Sequence, residues 1–333
     1  MASTLKDVAR LAGVSVKTVS NVVNGYPHVS ADVRRRVEAA VAHLRYRPNA
    51  FARTLRTGRT GVLALVLPDA DLPYADDLAR EVVHAAGRRG YRVVIEHERA
   101  SPDPDEGRSM PVDGVLVGGP TPPAALTGVL AAAERPVVLV GGETPDGRWD
   151  RVGVDVARAA EDATAHLLRA GRRRIAAIGA YPEEIVGAPQ PRTAGYHRAL
   201  RGAGLTPVAG HLLLALRHRR ADGYRAARIL LAQPHRPDAI FCYSDALAIG
   251  AMRAAFDAGV RVPGDVAVIG IGDLEEGRYS RPTLSTVSVD TKLLAREAVA
   301  RVAARIDTPD TSVAEVTVPH TLVPRESTRA TDR

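Results

Sequence analysis

Apolar positions repeat at helical spacing three times within the first fifty residues. Leu5, Val8, Ala9 and Ala12 form one stripe, with Thr4 placed to cap it and Asp7 in its first turn. Gly13 offers the left-handed conformation that ends a helix, and Ser15 can cap the next. That second helix has the stripe Val19, Val22 and Val23 and stops at Asn24-Gly25. Ser30 caps a third, with Val33, Val37, Ala40, Val41 and Leu44, ended by Tyr46-Arg47-Pro48. Two short helices joined by a tight Gly-containing turn predict a helix-turn-helix, and the third completes a minimal core. The run NAFARTL, capped by Asn49, predicts one or two further turns, too short to be stable alone. Thr57 to Gly61 reads as a linker.

From Gly61 the pattern switches to strands alternating with helices. Apolar runs lie at Val62–Leu67, Arg92–Ile95, Gly114–Val117, Val137–Val140, Ile175–Ile178, Ala239–Cys242 and Val266–Ile271. Helical stretches lie at Ala75–Arg89, Ala124–Ala133, Ala157–Ala170, Thr193–Ala203, Gly223–Ala232 and Ala246–Ala258. Such alternation predicts an α/β fold, with parallel sheets covered by helices on both faces. Val287–Ile306 reads as a crossing segment followed by a helix, and VAEVTVPHTLVPRES as an edge strand and tail. Parallel sheets bind ligands beyond the carboxyl ends of their strands.

Charge sharpens this division. Residues 1–60 hold eleven of the 45 Lys and Arg but only three of the 38 acids, Asp7, Asp32 and Glu38, a balance of +8. The remainder, 34 basic and 35 acidic residues, is nearly neutral, so the whole excess of the +7 chain sits in its first fifth. Such a block is the footprint of a polyanion-binding module. The single cysteine, Cys242, excludes an intrachain disulfide framework and suits a reducing cytoplasm. No apolar run has transmembrane length, and the N-terminus is too polar for a signal peptide.

With its stripe turned to the core, the second helix presents Val16, Lys17 and Asn21 outward. Lysine can donate to guanine, asparagine can pair with adenine, and valine can pack on a thymine methyl. Hydroxyls at Ser15, Thr18 and Ser20 suit phosphate oxygens near helix N-termini. Catalytic signals are missing. GIGDLEEG lacks the third glycine of a dinucleotide loop, and no nucleophile elbow, Walker loop or paired metal-ligand spacing occurs. Cys242 reads as a small core residue, and His211 and His218, in an Arg-rich stretch, read as solvated.

TLKDVARLAGVSVKTVSNVVNG, HVSADVRRRVEAAVAHLRYRPNAFARTLRTGRTG and the α/β body resemble the lactose-repressor family of bacterial regulators over almost the entire chain. The resemblance implies a headpiece at 1–48, a hinge helix and linker at 49–60, and an effector-binding and dimerisation domain at 61–333. That domain would resemble a periplasmic binding protein, with lobes at roughly 61–160 and 161–285 and crossovers between them. Val16, Lys17 and Asn21 become the base-reading positions. Thr4, Ser15, Thr18, Ser20, Asn24, His28 and Ser30 become backbone contacts or supports for the reading helix. The hinge helix would fold when two copies meet in the minor groove, with Leu55 wedged between base steps and Ala52 allowing close approach.

For the effector the resemblance points to Tyr74, Arg192, Ser244, Asp245 and Asp273. Two roles stay open for Asp245, effector contact or capping of Ala246–Ala258, and Tyr74 could equally serve lobe packing. The sequence departs from the family at Gly141 and Gly272, where acids that accept hydrogen bonds from sugars are common, and at ERASPDPDEGRSMPVDG, where a full helix is usual. The expected protein is therefore a non-enzymatic, cytoplasmic, nucleoid-associated repressor without cofactor or metal. It would act as a homodimer on near-palindromic operator DNA with half-sites about one helical turn apart, controlled by a sugar or other metabolite. Ile249, Met252 and Arg253 mark one candidate interface helix. A transport receptor is disfavoured by the basic headpiece, and a sugar-metabolising enzyme by the absence of catalytic motifs.

Overall fold

The computed structural model describes residues 3–23, 26–46, 59–67, 73–97, 111–119, 135–141, 147–181, 190–215 and 217–329. The chain divides into two compact units, Met1–Gly61 and Val62–Arg333.

In the first unit the three predicted helices form as α1 (Leu5–Ala12), α2 (Val16–Val23) and α3 (Ala31–His43). A capping box between Thr4 and Asp7 opens α1, and Gly13, at φ 62°, closes it. Val8, Val19 and Val37, one from each helix, are fully buried. Tyr46, read from sequence only as part of a stop signal, instead closes the bottom of this core at 8% exposure. Arg36 of α3 donates to the carbonyls of Ala12 and Gly13 at 2.6 and 3.2 Å, and Arg34 to that of Tyr26 at 2.8 Å. Part of the basic block therefore satisfies helix-end and loop carbonyls inside the headpiece.

Among the described residues, the second unit contains two six-stranded sheets. One has the order β11-β5-β4-β3-β1-β2, all parallel, from β1 (Val62–Leu67), β2 (Arg92–His97), β3 (Gly114–Gly118), β4 (Val137–Val140), β5 (Asp150–Gly153) and β11 (Glu315–Thr317). The other has the order β12-β10-β9-β8-β6-β7, from β6 (Ile175–Ala180), β7 (Leu212–Leu214), β8 (Ala239–Cys242), β9 (Ala267–Ile271), β10 (Ser285–Val289) and β12 (His320–Val323). Only β12 runs antiparallel in it. The helices are α4 (Pro73–Arg88), α5 (Val156–Arg169), α6 (Pro191–Gly202), α7 (Arg220–Leu231), α8 (Asp245–Asp257), α9 (Glu275–Tyr279) and α10 (Thr291–Asp307). The central strands are buried along their length, as parallel strands covered on both faces must be.

Among the described residues the chain passes between the lobes three times: from β5 to α5, from β10 to α10, and from β11 to β12. The first passage falls at Val154-Asp155, a little before the boundary near residue 160 that the resemblance implies, because Ala159, Ala160 and Ala163 already pack into the second lobe. α10 returns to the first lobe, where Leu294, Val299 and Val302 are fully buried. The last stretch, expected as one edge strand, divides at Pro319 into two strands, one on each sheet. Pro319 cannot donate to a ladder, so the break falls there. β5 carries too few apolar residues to be read from sequence. Its Asp150, 1% exposed, accepts bonds from Arg301, Arg305 and the Ala314 N–H at 3.0, 2.5 and 2.7 Å. These bonds outweigh the cost of burial and hold the carboxyl below its usual range. The predicted helix Ala124–Ala133, the hinge helix and most of the stretch after Glu98 lie outside the described residues.

Candidate DNA-reading helix and effector cleft

In the headpiece, Ser15 Oγ accepts from the Thr18 N–H at 3.1 Å and lies 2.9 Å from the Thr18 hydroxyl, so the start of α2 is well capped. Val19 and Val22 anchor the helix, leaving Val16 and Lys17 exposed and Asn21 half-buried. Thr4 and Ser30 are spent as N-caps of α1 and α3. Ser20 is half-buried and His28 exposed, while Asn24, Ala52 and Leu55 lie outside the described residues. A rigid core thus displays a short stretch of α2 whose side chains suit base edges.

In the second unit, Tyr74, Arg192, Ser244 and Asp273 each follow a strand of the two sheets in the chain, Tyr74 after β1, Arg192 after β6, Ser244 after β8 and Asp273 after β9. Tyr74 opens α4 in the first lobe. Arg192 opens α6 in the second, and its charge acts on Tyr74 as well as on Tyr181, His218 and Tyr243. Tyr74 belongs to the first lobe and the other three to the second, so the charge of Arg192 is felt in both lobes. Tyr181 follows β6 directly and Tyr243 follows β8, the positions where parallel strands deliver residues to a ligand. The Tyr243 hydroxyl lies 2.7 Å from that of Thr193, and Gln190 Oε1 accepts from the Tyr181 N–H at 2.8 Å. Burial pushes the phenols of Tyr74 and Tyr243 up to about 12, with Arg192 opposing, so both stay protonated. Gly141, at φ 88°, has the Tyr74 hydroxyl 3.1 Å from where a Cβ would stand. No L side chain suits that backbone, and the phenol takes the adjoining space.

His218 corrects the expectation of a solvated histidine. It is 8% exposed, stacks on Tyr181 with centroids 5.3 Å apart, and has Nε2 3.0 Å from the Gly179 carbonyl. Since a carbonyl only accepts, Nε2 carries the proton. Burial, reinforced by Arg192, pushes the imidazole down to about 4, so it is neutral. His211 is also buried, at 1% exposure, with Nε2 3.2 Å from the His235 carbonyl. Arg217 and Arg220 of this stretch are exposed, whereas both histidines are buried against backbone carbonyls. Tyr181, Tyr243, Thr193 and Gln190 were not singled out from sequence, although the strand-end rule applied residue by residue points to the two tyrosines.

Asp245 fills neither role considered for it. Ser244 caps α8, its Oγ accepting from the Leu247 N–H at 3.4 Å. Asp245 is 1% exposed, and its oxygens accept from the Thr286 hydroxyl at 2.7 Å and the Leu274 N–H at 2.8 Å. It therefore ties the residue after β8 to the turn after β9 and to the start of β10, sealed from solvent. Burial pushes its carboxyl up to about 6 against those two bonds. Asp273, at φ 56°, is held by Arg325 at 2.5 Å and Arg278 at 2.8 Å. Burial would raise its carboxyl, but these arginines keep it below the usual range. Met252, expected at an interface, packs into the second lobe's core at 8% exposure, leaving Arg253 and Phe256 outward on α8.

His218 and Asp245 pull stability in opposite directions with pH. The unfolded chain takes up a proton on His218 from about pH 6.5, which the fold refuses until about 4. Stability from this group is present above 6.5 and lost on acidification, by about 3 kcal/mol. Asp245 keeps its proton up to about 6 in the fold, against 3.8 when unfolded, so its contribution is present at low pH and lost as pH rises through 6. Relative to wild type, His218→Gln is expected to gain stability on going from pH 6 to pH 4. Urea midpoints of the effector domain at both pH values check this, and parallel profiles for the two proteins would contradict it.

A helical headpiece with an exposed reading helix, joined to a two-lobed α/β receptor, defines a ligand-responsive DNA-binding transcription regulator. Residues 4–49 match the family of bacterial regulatory proteins known as the lacI family, and residues 164–328 match a periplasmic binding protein-like domain. Over 98% of its length the chain is 32% identical to the HTH-type transcriptional repressor PurR of Erwinia tasmaniensis, covering 96% of that protein. It is 32% identical to the ribose operon repressor of Escherichia coli K12, over 86% of this chain and 87% of that one. A lac repressor dimer bound to operator and the anti-inducer ONPF superposes with TM-score 0.84 at 27% identity, covering 98% and 99% of the two chains. A cellobiose complex of the transcriptional regulator CelR gives TM-score 0.73 at 30% identity, with the same coverage. The chain belongs to the LacI family of transcriptional regulators. No helix among the described residues is long and apolar enough to cross a membrane.

Proposed function

We propose that this regulator is a repressor that binds a near-palindromic operator as a homodimer and responds to a small molecule held between its lobes. The observation that carries the reading is α2, whose buried stripe fixes it while Val16 and Lys17 stand exposed beside a well-capped N-terminus. In this reading Val16, Lys17 and Asn21 meet base edges. Ser15, Thr18, Ser20, Asn24 and His28 meet or support the phosphates, and Thr4 and Ser30 brace the helices they cap. Residues 49–60 form the hinge, with Ala52 and Leu55 at the minor groove. The body beyond Gly61 binds effector and pairs the protomers, using the outward face of α8 around Ile249 and Arg253. No catalytic step is assigned, and the protein works in the cytoplasm on nucleoid DNA.

Arg192 and Tyr74, from opposite lobes, are the central effector contacts, with Ser244 and Asp273 at the rim. A ligand gripping both changes the equilibrium between lobe arrangements only through its unequal affinity for them. The three interlobe passages then carry the change toward the hinge. Selection of bound duplexes from a random pool, with and without candidate metabolites, tests the reading. Lys17→Ala is expected to cost about 1–3 kcal/mol and to relax preference at a single operator position. Equal loss on every sequence would make Lys17 a phosphate contact, and no preference in wild type would sink the regulator.

A further inference from the structure

Of the 45 Lys and Arg in this protein, only three are lysines: Lys6, Lys17 and Lys292. The difference is chemical. A guanidinium stays protonated and offers no lone pair to an electrophile, whereas a lysine amine gives up its proton and attacks. Acylating reagents therefore pass over nearly all of the positive charge and meet three side chains. One of them is Lys17, exposed in the first turn of α2.

Lys6 and Lys292 are exposed as well, but the three stand in different fields. Lys292 lines a crevice of about 560 Å3 with the carboxylates of Asp77, Glu81, Asp273 and Asp290, set against Arg80 and Arg278. Lys6 is followed directly by Asp7 and stands on α1, outside the reading helix. Around Lys17 no acid occurs among residues 13–21, a turn of helix to either side. It lies in the segment 1–60, where eleven basic residues face three acids. An acyl phosphate is an anion, so the field of this segment draws it in, while four carboxylates oppose its approach to Lys292. Resting on the reading of α2 as the recognition helix, the consequence for DNA is direct. Acylation turns an ammonium with three donors into a neutral amide with one, at a position that meets a base edge.

We propose that Lys17 is a modification site, whose acylation by an acyl phosphate releases the repressor from its operator. The uncharged amine attacks the acyl carbon and forms a C–N bond. The bond from that carbon to the phosphate oxygen breaks, phosphate leaves with the electron pair, and the surplus proton of the nitrogen passes to water. Incubation of the full-length protein with acetyl phosphate, with and without a selected operator duplex, tests this. Mass spectrometry locates the acetyl groups, and fluorescence anisotropy reads operator affinity. Lys17 is expected to be acetylated faster than Lys292, and bound operator should slow the reaction at Lys17 at least about tenfold while leaving Lys292 unaffected. Acetylation at Lys17 should weaken operator binding about tenfold or more, as loss of one good base contact does. The same fall should appear in the Lys6→Arg, Lys292→Arg double variant, whereas treated and untreated Lys17→Arg should bind alike. If Lys17→Arg binds too weakly to compare, the double variant and the operator protection decide. Faster acetylation of Lys292, unchanged affinity with Lys17 acetylated, no protection by operator, or an equal fall in Lys17→Arg overturns the proposal. Each leaves the regulator reading intact so long as the untreated protein prefers particular duplexes. Absence of that preference would sink the regulator reading itself.

Discussion

Raising monovalent salt from about 50 to about 200 mM is expected to cut operator affinity by about a thousandfold, for a dimer neutralising roughly six phosphates. The expectation starts from eleven Lys and Arg against three acids in residues 1–60. It is set below that count because several of these cations are used within the headpiece. Arg36 and Arg34 bind backbone carbonyls, and Arg10 and Arg35 lie within 3.6 and 3.5 Å of Asp7 and Asp32. Counterions released from the duplex supply the driving force, so log affinity falls linearly with log salt. Fluorescence anisotropy on a selected operator measures the slope. The slope also separates roles: Lys17→Ala should leave it nearly unchanged if Lys17 reads a base. An affinity that varies less than about tenfold over this range would contradict electrostatic anchoring by the headpiece.

Gly250→Ala is expected to destabilise the second lobe by about 3 kcal/mol or more, the upper range for overpacking a tight core. A Cβ at Gly250 would stand 1.9 Å from the Arg220 carbonyl oxygen, and one at Gly223 would stand 2.1 Å from that of Leu247. The two glycines face opposite helices, so α7 and α8 touch backbone to backbone, and Ala226, Ala227, Ala248 and Ala251 fill the seam. Separating the helices to admit one methyl group forfeits contacts along the whole seam. Gly202, at the end of α6, is the control, since nothing lies within 4 Å of its would-be Cβ. Gly202→Ala should be neutral or more stable by about 0.5–1 kcal/mol, because alanine loses less chain entropy on folding. Denaturant midpoints compare the pair. Similar midpoints for Gly250→Ala and wild type would show that the seam can open without loss.

The headpiece was nearly all legible in its sequence. Caps, the left-handed glycine and the apolar stripes act within one or two helical turns, so Thr4, Gly13, Ser15 and Ser30 do what their local surroundings require. Tyr46 escaped because its burial depends on where the third helix ends relative to the other two. In the body, the central strands announce themselves by unbroken apolar runs. β5 does not, because its burial is made tolerable by Arg301 and Arg305, more than a hundred residues away in sequence.

The cleft divides along the same line. Arg192 and Tyr74 entered as effector contacts through the resemblance of their surrounding motifs. The neutral state of His218, the sequestration of Asp245 and the pairing of the Tyr243 and Thr193 hydroxyls were not, since each depends on which groups two distant segments bring together. Helix boundaries, strand runs and the lopsided charge were thus decided by neighbours along the chain, whose preferences a linear string displays. The division of the last strands between two lobes, the glycine seam and the charge states of His218 and Asp245 were decided by contacts across space. Burial sets the dielectric that each group feels, and only the packed molecule says which groups are buried together.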